Sequence, residues 1–79
     1  MVIVVLFKTI DGKRCDDVGV FLNYRNARKY AEQDAKHLYG GFAEELKWTR
    51  SADYPKAWEA MVGITGVRYV AQTWDVEDG

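Results

Sequence analysis

Cysteine, proline and histidine each occur once in this 79-residue chain. With Cys15 alone, no internal disulfide can form, which suits a reducing compartment. A Cys–His metal site needs more ligands than one of each, and no CxxC or HxxxH spacing is present. His37 has no second member of a nucleophile–histidine pair near it in the chain. It reads as a residue of the last helical turn, where positive charge meets free carbonyls. Cys15 stands beside Asp16 and Asp17, which disfavour its thiolate, so it reads as a small strand residue. The glycines form neither GxGxxG nor a Walker loop. Asp16/Asp17 and Glu44/Glu45 are adjacent pairs, and neighbours on a strand point to opposite faces rather than converging on a substrate. No catalytic residue, metal site or cofactor is therefore expected.

Charge of one sign is also lacking. The net charge of −1 supplies no global attraction to nucleic acid or to anionic membrane. The longest apolar run, Val2 to Phe7, is far too short to span a bilayer. No basic stretch precedes it and no small-residue cleavage site follows. The expectation is no signal peptide, no membrane partner and a cytoplasmic location.

What is present is apolar content of 48% with 11 aromatic residues, ample for one small folded domain. A chain of this length buries roughly 60% of its unfolded surface. Asn23 to Gly40 is the best-marked segment. Tyr24, Ala27, Ala31, Ala35 and Leu38 recur with the period of one helix face. Asn23 precedes them as a cap, Leu22 and Ala27 occupy staple positions, and Gly40 follows as a stop. The alanine-rich face lets the helix lie close to a sheet but depends on larger partners for burial.

Val2 to Phe7, continuing to Ile10, is apolar on both faces, as in a central strand or one facing an interface. Asp11-Gly12 is a turn, and Val18 to Leu22 returns as a second strand of a hairpin. Glu44 to Arg50 alternates as a half-buried strand, with Leu46 and Trp48 on one face. Ser51 to Pro55 is a loop. Lys56 to Val62 fits a short helix capped by Asp53 with Pro55 in its first turn. Trp58, Ala60 and Val62 also alternate as a strand would; the short helix is the expectation. Thr65-Gly66 is a turn, Val67 to Val76 a strand, and Glu77 to Gly79 a solvated tail. The expected fold is one α+β domain over residues 1–79. It has a mainly antiparallel sheet of about four strands, one long amphipathic helix on one face, and the order β-β-α-β-(short α or β)-β.

Two surface features bear on function. Residues 1–40 carry seven Lys/Arg against five Asp/Glu, and residues 41–79 carry four against seven. The basic face of helix 24–39, with Arg25, Arg28, Lys29 and Lys36, can contact phosphate. The alternative is a solvated face with a Glu32–Lys36 pair. The second feature is aromatic density. Tyr54, Trp58, Tyr69 and Trp74 cannot all be central in so small a core, and exposed aromatics stack bases or anchor protein interfaces. The RNP pattern of an RNA-recognition module is absent.

In kind, the chain resembles small phage and mobile-element proteins, anti-CRISPR proteins among them. The shared cues are a single short domain, a hairpin followed by an Asn-capped, Ala-rich helix (Asn23 to Leu38), further strands and no catalytic motif. The resemblance implies stoichiometric binding to a larger host complex, often at a nucleic-acid-binding surface. It carries over no individual residue. The first expectation is thus a non-enzymatic protein-binding module using Tyr54, Trp58 and Trp74. The alternative is a nucleic-acid-binding module using Arg25, Arg28, Lys29 and Lys36. Homodimerisation through the first strand or the open sheet face fits either.

Overall fold

The computed structural model describes residues 1–43 and 46–76. The elements are β1 (Val2–Ile10), β2 (Lys13–Phe21), α1 (Tyr24–Tyr39), a 3₁₀ turn (Gly40–Ala43), β3 (Thr49–Arg50), β4 (Ala57–Met61) and β5 (Val67–Asp75). The strands form one antiparallel sheet in the order β2-β1-β5-β4-β3. The α+β class and the single long helix agree with the sequence. The sheet has five strands rather than about four.

The first hairpin forms where the sequence marks it. Asp11 (φ 50) and Gly12 (φ 85) both take the left-handed conformation that a tight two-residue turn requires. β2 starts at Lys13, earlier than the apolar Val18–Leu22 stretch indicates. It pairs with β1 through two register shifts that leave Val18 and Cys15 as extra residues. Bulges and the charges of Lys13, Arg14, Asp16 and Asp17 blunt this edge strand against further pairing. β1 is paired on both sides, so strand-to-strand contact between copies would fall to β2 rather than to the first strand.

Asn23 caps α1, its side-chain oxygen accepting from the Asn26 N–H at 2.9 Å. Gly40 ends the helix at φ 56, its N–H donating to the Lys36 carbonyl. Ala27, Ala31 and Ala35 are fully buried over Val4, Leu6, Tyr69 and Ala71 of the two central strands. Leu38, expected inside, is 52% exposed, and Tyr39 takes its place against the core. The buried stripe continues from Ala35 by four residues rather than three, both of which satisfy helical spacing. Leu22 is also exposed, so no hydrophobic staple forms on Ala27.

Two further expectations fail. The short helix over Lys56 to Val62 is strand β4, hydrogen-bonded to β5 with Ala60 opposite Tyr69. Lys56 lies at φ 51, outside the right-handed helical region, and the outer edge of β5 draws the segment into the sheet. The strand expected from Glu44 to Arg50 is paired only at Thr49 and Arg50; Glu44 and Glu45 fall outside the described residues. Leu46 and Trp48 do pack into the helix-side core. The expected tail, residues 77–79, is likewise outside the described residues.

The face away from α1 is partly roofed. Phe7, Val70 and Ala57 form a small second cluster there. The β3–β4 loop places Tyr54 edge-on against Phe7 at 5.0 Å, and the Arg14 guanidinium lies 4.1 Å from the same ring centroid.

Candidate functional site

The site lies where α1 begins. Because Asn23 fixes the helix start, the Tyr24 ring is directed onto two tryptophans. It meets Trp48, just before β3, at 6.1 Å and Trp58, on β4, at 5.9 Å. One turn along α1, the Arg28 guanidinium sits 5.5 Å from the Tyr24 centroid and 5.8 Å from that of Trp48. Arg50 pairs in register with Trp58 across β3 and β4, and its guanidinium lies 5.7 Å from the Trp58 ring. Each separation is within the range where a cation is attracted to an aromatic face.

Two clefts flank the Tyr24–Trp58 contact. One, of about 340 Å³, is walled by Arg50, Tyr54, Lys56, Trp58 and Thr73. The other, of about 350 Å³, is walled by Tyr24, Arg25, Arg28, Lys29 and Glu32. Together they carry five basic side chains and one acid. Among the described residues none of those five cations forms an ion pair. The first turn of α1 has no acidic residue. Arg25 and Arg28 therefore add to the positive end of the helix macrodipole, an arrangement that costs helix stability and raises the local positive potential.

Burial pushes the Tyr24 hydroxyl up to about 12, and the Arg28 charge opposes part of that shift. The Tyr24 hydroxyl and the Trp48 indole nitrogen are buried without a hydrogen-bond partner among the described residues. A buried unpaired donor is costly, so two of them inside a cation-rich cluster are a local departure from ordinary core chemistry.

Of the aromatic candidates, Tyr54 and Trp58 wall the same cleft. Trp58 stands on the α1 side of the sheet, whereas Trp74, in register with Ile3, lies on the opposite face, the one on which Tyr54 meets Phe7. The three do not form one patch. Of the basic candidates, Arg25, Arg28 and Lys29 share a cleft, whereas Lys36 lies in the last turn, about 10 Å beyond Lys29 along the helix axis. Sequence reasoning missed Tyr24, Trp48 and Arg50 as site residues. The signal for Arg50 was the β3–β4 pairing, which is invisible while the second partner reads as a helix.

His37 is exposed in the last turn of α1, and Cys15 is exposed at a β2 bulge, its thiol donating to the Lys8 carbonyl at 3.4 Å. Neither borders the clefts. Asp17 is bound by Arg14 at 2.6 Å, and Asp16 stands opposite Lys8 on the other face. Among the described residues no cluster of His, Cys, Asp or Glu is arranged to hold a metal, and no helix is long and apolar enough to cross a membrane.

A second surface is apolar. Val20 pairs with Val5, and Ile3 with Trp74, on the open sheet face. Val20 is 63% exposed and Trp74 49%.

Comparison of the chain with protein-family models, with curated proteins and with solved structures returns no match.

Proposed function

We propose that this chain is a non-enzymatic binding module that takes nucleic acid on its basic–aromatic end. One observation carries the reading: five cations, none ion-paired among the described residues, surround an exposed tryptophan and a helix N-terminus that holds no acid. The basic residues of the helix supply three of the five. Arg50 and Lys56 come from the half of the sequence that is acidic overall, so the patch is basic in space although the chain is not basic in sum.

The overall charge of −1 is compatible with this. The molecule is 43 Å long, while fields between exposed charges decay over about 10 Å at 0.1 M salt. A bound strand therefore meets the local potential rather than the net charge.

The test is the salt dependence of binding to a short oligonucleotide. With three to five phosphates neutralised, the logarithm of the affinity should fall against the logarithm of salt with a slope of about −2 to −3.5. Absence of binding at low salt to single- and double-stranded DNA and RNA alike removes the reading.

The open apolar face favours a second reading, a stoichiometric protein-binding module. Exposed Val20 and Trp74 on this face offer apolar contact to a protein partner. This is the mode of action that the likeness to small phage and mobile-element inhibitors implies. Capture from a host lysate separates the two readings. A partner that survives nuclease and is lost in Trp74→Ala, but not in Arg25→Glu, supports the protein reading.

A further inference from the structure

We infer that the bound strand is single, with a base stacked in the cleft walled by Arg50, Tyr54 and Trp58 while its phosphates follow Arg25, Arg28 and Lys29. This rests on the nucleic-acid reading above and adds to it the form of the ligand and where its base sits.

The cleft has the chemistry for a base. Trp58 is 38% exposed although it is on β4 of a packed sheet, and Arg50 beside it presents a second planar, cationic group. A flat aromatic wall offers a stacking partner only to a base whose face is free, and in a duplex those faces are covered by their neighbours. Its volume of about 340 Å³, at the low end of ligand pockets, admits one small planar group.

The wall is also held in place before any ligand arrives. The Ser51 hydroxyl donates to Glu59 at 3.1 Å and accepts from the Tyr54 N–H at 3.2 Å. The Gln72 side chain donates to the Pro55 carbonyl at 3.1 Å, and Tyr54 is seated on Phe7. A loop fixed at three points loses little freedom on binding, which favours affinity. The cleft joins the Trp58 and Tyr54 rings to Arg50 and Lys56 with no acidic residue, and its neighbour across the Tyr24–Trp58 contact carries the three helix cations beside Glu32. Base and phosphate contacts are thus assigned to adjoining walls.

The experiment measures the affinities of oligothymidylate, a duplex of equal length and inorganic polyphosphate for the whole chain and three variants. Trp58→Phe keeps an aromatic ring, Trp58→Met keeps apolar bulk without one, and Arg25→Glu reverses a phosphate contact. The single strand should bind more tightly than the duplex at equal salt. Trp58→Met should weaken it by between about 5-fold and 150-fold, with Trp58→Phe recovering most of the loss. Polyphosphate should be indifferent to Trp58 and sensitive to Arg25. Equal binding of duplex and single strand, or an unchanged affinity in a folded Trp58→Met, overturns base stacking and leaves the nucleic-acid reading in place. Failure of all three probes at low salt removes that reading itself.

Discussion

Two tyrosines, Tyr69 under α1 and Tyr24 at its start, show how much a single hydroxyl decides. Tyr69 is fully buried, and its hydroxyl donates to the Asp34 carboxylate at 2.5 Å. Lys8 lies 3.9 Å from the same oxygen and over the rings of Tyr39 and Tyr69. Removing the donor in Tyr69→Phe leaves a half-buried carboxylate short of a partner, and we expect a loss of about 1.5–3 kcal/mol in urea unfolding. Burial first, then the Asp34 carboxylate, raise the Tyr69 hydroxyl well above the usual tyrosine range. Tyr24 is raised from 10.0 to about 12 by burial. A folded-state value above the unfolded one means that the folded chain holds its protons longer. The stabilisation is complete below pH 10.0 and is lost as pH rises through the folded values, beginning with the Tyr24 window up to about 12. Urea midpoints measured across that window should fall, and fall less in a Tyr24→Phe, Tyr69→Phe double variant. A midpoint unchanged across the window contradicts the assignment. None of this network was legible in the sequence, because Lys8, Asp34 and Tyr69 lie far apart in the chain and meet only in the fold.

At the scale of elements, legibility follows locality. α1 was readable because its cap, period and stop all lie within Asn23 to Gly40, and each acts within a turn of its own position. The β1–β2 hairpin was readable for the same reason, through Asp11-Gly12. β4 was not. Trp58, Ala60 and Val62 alternate as a strand while Ala57, Trp58, Met61 and Val62 share a helix face, and what decides between them is the outer edge of β5, which no window around Lys56 contains. That error hid the site as well, since Arg50 meets Trp58 only across β3 and β4. α1 also breaks a local rule at its start: Arg25 stands in the first turn, where acids are favoured, and no acid accompanies it there. Such a departure is expected where function rather than stability sets the residue. Arg25→Glu should therefore stabilise the chain, by about 0.3–1 kcal/mol in thermal or urea unfolding, while it weakens oligonucleotide binding. A variant that loses stability, or one that binds as before, contradicts the role given to Arg25.

For the whole molecule, the topology sets two surfaces back to back. Placing β1 and β5 at the centre, under the alanines of α1, leaves both ends of the sheet to short or blunted edges. The basic–aromatic end gathers residues from α1, β3, β4 and the loop between those strands. The open face gathers Ile3, Val5, Val20 and Trp74. The sequence offers candidates for both without separating them, since Trp58 and Trp74 look alike until the register assigns each to a face. Amide chemical-shift mapping during titration with oligothymidylate distinguishes the surfaces in one experiment. The account predicts that the shifts gather on Tyr24, Arg25, Arg28 and Lys29 and on the stretch from Arg50 to Trp58, and leave Val20 and Trp74 unmoved. Shifts confined to the open face, or no shifts at low salt, contradict it.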